Sequence, residues 1–172
     1  KGVVFRPATV CGYAPRTRLD LSVNILTNFA VNKNFIKVFG GDQLRPNLHI
    51  HDYCDAVEVL IKAEDGKISN QIFNVGYQNL SINEIAQKVK AVVQKEFPEK
   101  GEISIHRTES DDNRSYHINS DKIKKVLGFS PKRSIEIAIK DLCEAFKKNK
   151  IIDPFDNDLY FNVKRLQKIQ AK

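Results

Sequence analysis

Methionine is absent from all 172 residues, and the chain opens on Lys1, so the sequence is expected to be the back part of a longer protein. No apolar run approaches the ~20 residues that a membrane-spanning helix requires, and no signal peptide is visible. Cysteine is scarce and odd in number. Cys11, Cys54 and Cys143 lie far apart with no Cys-x-x-Cys pair, which excludes a disulfide scaffold and makes a reducing cytoplasm the expected compartment. Glycine is limited to eight positions (2, 12, 40, 41, 66, 76, 101 and 128), and none of them forms a G-x-G-x-x-G spacing. The sequence therefore offers no fingerprint for a dinucleotide pyrophosphate at a helix N-terminus. There is no internal repeat and no low-complexity segment.

What is present is an ordinary globular composition, with 41% hydrophobic and 28% charged residues, which sets disorder aside. The length suits one or two small domains with a real core. A net charge of +7 favours anionic partners. Lysines cluster late (Lys122, Lys124, Lys125; Lys147, Lys148, Lys150) on faces read as solvated helix surface. Arginines at 6, 16, 18, 45, 107 and 114 are read as loop residues, suited to bidentate capture of a phosphate or carboxylate.

The hydrophobic pattern alternates short strands with helices, which indicates an α/β fold. Residues 3–10 read as one strand, followed by a proline-bearing loop to Arg18. Asp20 is expected to cap a helix carrying Leu21, Ile25 and Phe29. Ile36 to Phe39 is a short strand ended by Gly40-Gly41, and a turn-rich loop runs to Pro46. Asn47 to Ile50 is extended, with Asp52 at the N-cap of a helix that Gly66 closes. Gln71 to Val75 is a strand. Ser81-Ile82-Asn83-Glu84 is a capping box, opening a helix with Ile82, Ile85, Ala86, Val89, Val92, Val93 and Phe97 on one stripe. Glu102 to His106 alternates as a strand, and Ser115 to Asn119 is a brief extended piece. Ser120 and Ser134 are expected caps of two further helices. The tail from Ile151 has no clear pattern.

Several segments occur in a recognisable order. They are Arg6-Pro7-Ala8-Thr9-Val10-Cys11-Gly12, Gly40 to Asp52 with Arg45-Pro46-Asn47-Leu48-His49, Phe73-Asn74-Val75-Gly76, Asp112-Asn113-Arg114-Ser115-Tyr116, and Leu127-Gly128-Phe129-Ser130-Pro131. Together they resemble the C-terminal half of extended short-chain dehydrogenases/reductases, and most of all the NAD-dependent epimerases and dehydratases of nucleotide sugars. The resemblance implies a fold in which the last strands of a Rossmann-type sheet carry a small α/β substrate-binding domain. The family's Gly-rich dinucleotide part and its Tyr-x-x-x-Lys pair are not among these residues. Residues 1–150 are expected to be the family region and 151–172 a tail. NAD, held together with the absent N-terminal domain, is the implied cofactor, a nucleoside-diphosphate sugar the implied partner, and a homodimer the implied full-length form. Neither nucleic acid nor a membrane is expected as a partner.

The resemblance also assigns roles. Pro7, Ala8 and Thr9 match the segment beside the nicotinamide and the sugar, although many members carry Asn at the Thr9 position. Asn24 matches a diphosphate- or sugar-contacting Asn, its plain alternative being a surface helix amide. Phe39 matches a base-holding strand, with a core residue as its alternative. Arg45, with Asn47 beside it, is the first diphosphate candidate. Asp112 and Arg114 match ribose and phosphate contacts. Some members carry an arginine where this chain has Glu109, and Arg107 is offset by two. Tyr160-x-x-x-Lys164 reproduces the catalytic pattern about 150 residues too late and is read as chance. His49-x-His51-Asp52 permits a metal reading but offers no third ligand at a recognisable spacing. Cys11 is read as a packing thiol. No catalytic residue is assigned, and the chain is expected to be inactive alone. The alternative function is a non-catalytic module that binds nucleotide sugars or a partner protein.

Overall fold

The computed structural model describes residues 2–110 and 114–170. Among these, in chain order, lie β1 (Val4–Pro7), β2 (Thr9–Cys11), α1 (Ser22–Lys33), β3 (Phe35–Phe39), β4 (Leu44–His49), α2 (Ile50–Lys62), α3 (Asp65–Ile68), β5 (Ile72–Val75), β6 (Gln78–Ser81), α4 (Ile82–Glu96), β7 (Ser104–Thr108), α5 (Asp121–Leu127), α6 (Ile135–Lys147) and α7 (Asn162–Lys168). The architecture is α/β, as the alternation of patterns indicates. None of these helices is long and apolar enough to cross a membrane.

The apolar run expected as one strand over 3–10 is two. β1 runs parallel to β5, with Val4 opposite Ile72 and Pro7 opposite Val75. The Ala8 N–H then donates to the Val75 carbonyl at 2.7 Å, and β2 leaves for β4, placing Thr9 opposite Asn47 and Cys11 opposite His49. Gly76 makes this change of sheet possible by close approach. A Cβ there would lie 2.4 Å from Ile118 Cγ2 and 3.1 Å from the Ala8 methyl. β4 also pairs antiparallel with β6, and β3 runs parallel to β7.

Three apolar clusters fill the spaces between these layers. The main one joins α1, α4 and α6 to β3, with Val23, Ile36, Ile85, Val89, Ile103 and Ile139 fully buried. A second, around Phe73, Leu48 and Ile123, packs β1 and β5 against α2 and α5. A third and smaller one sets Ile151 of the tail against Leu19, Leu142 and Ala145, with Tyr13, Tyr160 and Phe161 at its edge.

The capping box at Ser81 and Glu84 forms as its sequence dictates: each side chain accepts the other residue's backbone N–H. The other expected caps make no such bond, and the side chains of Asp20, Asp52 and Ser120 bond elsewhere. α1 has Leu21, not Asp20, at its N-cap, and Asp20 instead takes the Arg18 guanidinium and the Asn162 N–H. α2 begins earlier than expected, at Ile50. Its cap is the His49 ring, and Asp52 lies inside its first turn, buried and paired with Arg133. The Ser120 hydroxyl bonds Gly76, and Ser134 makes no cap bond. Gly66 lies inside the short helix α3 and so closes nothing; α2 has already ended at Lys62.

Candidate functional site

The change of sheet at Ala8 opens a cleft. Pro7, Ala8 and Thr9 form its floor, and Asn24, Pro46, Tyr53 and Tyr116 line a cavity of about 580 Å³. The loop after β2 builds the facing wall and brings Arg16 and Arg18 to it. Asn24 is buried, not a surface amide: its Oδ1 accepts the Gly12 N–H at 3.0 Å, and its Nδ2 donates to the Arg18 carbonyl at 2.8 Å. It therefore shapes the wall through the loop backbone.

A second cavity, of about 600 Å³, lies across the segment 20–22 from the first and is lined by Ser22, Ile25, Phe29, Lys37, Phe39 and Arg45. On β3, Ile36 and Val38 point into the core, so Lys37 and Phe39 point out to this cleft. Phe39 is 52% exposed, which excludes the core alternative, and the Lys37 ammonium sits 4.7 Å from its ring centroid. α1 starts here with no side-chain cap and no acidic residue in its first turn. Its unpaired N–H groups and positive dipole end suit an anion. The Ser22 hydroxyl is buried at this point with no hydrogen-bond partner among the described residues.

Arg45 lines the second cleft and reaches Tyr116 of the first. It lies on β4, not in a loop, because Pro46 falls where the β2 side of the strand is still unpaired and its missing N–H costs nothing there. Arg6 and Arg107 likewise lie on strands. The Arg45 side chain donates to the carbonyls of Leu44 and Arg114 and stacks over the Tyr116 ring at 5.5 Å. Asn47 does not reach either cleft. It is buried in the sheet, with its amide nitrogen bonded to the Arg45 carbonyl at 2.8 Å. Arg114 meets the site through its carbonyl, and Asp112 lies outside the described residues. Arg107 pairs with Asp42 at 2.7 Å.

The remaining sequence candidates separate. No group of three or more potential metal ligands comes together among the described residues. Cys11 is buried and donates to the Leu48 carbonyl, and burial, with Asp52 second, pushes its thiol up to about 12. Such a thiol is not a nucleophile at neutral pH. Cys143 is buried as well, and Cys54 is exposed. Tyr160 and Lys164 go to separate backbone partners, the Tyr160 hydroxyl to the Ile152 N–H and the Lys164 ammonium to the Phe155 carbonyl.

His49 ends β4 and holds it to α2. Its Nδ1 accepts the His51 N–H at 3.1 Å, so the neutral ring carries its proton on Nε2, 3.1 Å from Asp141. Burial lowers its pKa; Asp141 and Asp52 oppose that, and His51 adds to it. A depressed histidine contributes stability that is full above its unfolded value, near 6.5, and is lost as pH falls through the folded one. Melting temperature is therefore expected to drop more steeply below pH 6.5 in the parent than in His49→Gln. Parallel curves for the two would show that the ring is not the titrating group.

Residues 1–76 match the model of the NAD dependent epimerase/dehydratase family. A dTDP-glucose 4,6-dehydratase of Shigella flexneri is 26% identical over 126 residues, covering 70% of this chain and 34% of that protein. Among solved structures, dTDP-glucose 4,6-dehydratase from Bacillus anthracis in complex with NAD superposes with a TM-score of 0.69 at 20% identity, over 87% of this chain and 45% of that one. UDP-glucuronic acid 4-epimerase from Bacillus cereus, in complex with UDP-glucuronic acid and NAD, gives 0.69 at 20% identity, over 86% and 45%. The chain spans about a third of the length of the curated relative and just under half that of the solved ones. Residues 1–76 are thus similar in sequence to the NAD dependent epimerase/dehydratase family, and most of the chain shares the fold of these solved structures.

Proposed function

We propose that this chain supplies the nucleoside-diphosphate-sugar clamp of an NAD-dependent nucleotide-sugar epimerase or dehydratase. The observation that carries this reading is the pair of clefts on either side of segment 20–22, with Arg45 lining the second and stacked on Tyr116 of the first. In this reading Phe39 and Lys37 take the base, while Arg45, Ser22 and the start of α1 take the diphosphate. The sugar enters the first cleft, over Pro7, Ala8 and Thr9. Asn24 fixes the loop above it, and Asp112 and Arg114 serve the ribose side. Residues 1–150 are the clamp and 151–172 a tail, and the full-length form is a homodimer. The relatives' specificity for dTDP- and UDP-sugars supports this ligand class.

The residues present fit only one edge of an NAD site. Pro7 to Thr9 suit the rim of a nicotinamide pocket, but no glycine-rich turn with a G-x-G-x-x-G spacing is available for the pyrophosphate. Bound NAD supplies the hydride acceptor, and the proposal places its main contact surface outside these residues. What this chain contributes is affinity and orientation of the ring, on which turnover depends steeply.

Calorimetric titration of the chain tests the proposal. UDP, dTDP and their glucose conjugates are expected to bind roughly tenfold or more tighter than UMP, because the second phosphate meets Arg45. Equal affinity for the mono- and diphosphates, or no binding at all, would remove the clamp. Turnover of either sugar by the chain alone would remove the expectation that it is inactive in isolation.

A further inference from the structure

The loop that walls the first cleft is not held by the body of the domain alone. Residues 14–17 brace themselves, the Thr17 hydroxyl accepting the Ala14 N–H at 3.1 Å and donating to its carbonyl at 2.6 Å. Beyond that turn the loop is tied to the C-terminal tail. The Leu19 N–H donates to the Tyr160 carbonyl at 2.9 Å, the Asn162 N–H to Asp20 Oδ2 at 3.1 Å, and Arg16 Nη2 to Asn162 Oδ1 at 2.9 Å. Leu19 is fully buried against Ile151, Leu142 and Ala145, with Tyr160 and Phe161 beside it. Farther along, the Pro154 carbonyl accepts from Asn28, and Phe155 packs edge-on against Phe29, which lines the second cleft. No described residue of the tail lines either cleft.

From this juxtaposition we propose that the C-terminal tail is a clasp, with Asn162 a positioning residue that aims Arg16 and fixes the wall of the sugar cleft. Asn162 opens α7 and reaches the loop from both its backbone and its side chain. A ligand entering the cleft then meets a wall already ordered, and the ordering cost that a mobile loop would subtract from affinity is avoided. This inference rests on the clamp reading for its ligand, but not for its geometry.

Position 162 allows the two tail bonds to be cut selectively. Proline is tolerated at the first residue of a helix, and Phe161 before it already has extended backbone (φ −127°, ψ 107°). Asn162→Pro therefore removes both the N–H to Asp20 and the bond to Arg16 while leaving α7 intact. Asn162→Ala removes only the bond to Arg16, and Asn162→Asp keeps an acceptor for it. With UDP-glucose as the titrated ligand, affinity is expected to fall about tenfold in Asn162→Pro and about threefold in Asn162→Ala, with Asn162→Asp close to the parent. Melting temperature should stay close to the parent's in all three. Hydrogen exchange without ligand should show residues 13–20, Leu19 foremost, exchanging faster in Asn162→Pro.

Parental affinity in Asn162→Pro, or an equal loss in all three variants, would overturn the clasp, as would unchanged exchange of the loop. If the parent itself fails to bind UDP-glucose, the clamp reading falls, and the ligand-free exchange of Asn162→Pro still decides the clasp.

Discussion

Replacing Arg45 with alanine is expected to weaken nucleoside-diphosphate-sugar binding by about 10- to 100-fold, since hydrogen bonds to charged groups contribute about 1.5–3 kcal/mol each. The guanidinium is already placed. The carbonyls of Leu44 and Arg114 accept from it, and it lies over Tyr116 at 5.5 Å, so little freedom is lost when a diphosphate arrives. Arg45→Lys keeps the charge but loses the planar fork, and should fall between parent and alanine. The variant should melt as the parent does, because the guanidinium lines a cleft and does not pack in a core. An Arg45→Ala chain that binds UDP-glucose like the parent would move the diphosphate elsewhere on the surface.

The second large effect is on stability. Asp52 is 1% exposed and receives three bonds from one short segment: the Lys132 and Arg133 N–H groups at 3.1 and 2.8 Å and the Arg133 guanidinium at 2.6 Å. It stitches the first turn of α2 to the approach of α6. Asp52→Ala leaves two backbone donors without their acceptor and takes from the Arg133 guanidinium one of its two carboxylates, Asp55 remaining, a loss of about 3 kcal/mol. For a chain of this length that corresponds to a melting-temperature drop of roughly 10 °C. Arg133→Met should cost much less, because the arginine side chain is 34% exposed and Asp52 keeps both backbone bonds. A drop below about 2 °C in Asp52→Ala would mean that the segment 132–133 is held by other contacts.

Local pattern predicted well wherever the stabilising partners are local. The stripe from Ile82 to Val93 and the box of Ser81 and Glu84 are complete within α4, and its capping box formed as read. The strand Ile72–Val75 and the inward face of α6 are equally local. Asp20, Asp52 and Ser120 carry the same kind of signal and misled, because each has a competing hydrogen-bond partner far along the chain, Asp20 having Arg18 nearby as well. Asn162 is 142 residues from Asp20, Arg133 81 from Asp52, and Gly76 44 from Ser120. A charged or longer-range partner outcompetes a helix N–H, and only the fold reveals it.

The site divides in the same way. Phe39 and Arg45 were singled out through the family resemblance and both line the second cleft, but whether Phe39 faced the core or a cleft depended on the phase of β3. Ser22 and Tyr53 gave no sequence signal. Arg16 and Arg18 were visible only as arginines with a taste for anions, since it is the tail that positions their loop.

The residues from Val4 to Cys11 run through both large cores. Ala8 packs with Phe73 and Val75 in one, and three residues later Cys11 packs with Val23 and Ala138 in the other. Short two- and three-stranded sheets melt separately unless something couples them. In the clamp reading, a ligand resting on Pro7, Ala8 and Thr9 grips a stretch of backbone that both cores share, so its binding free energy is felt by both.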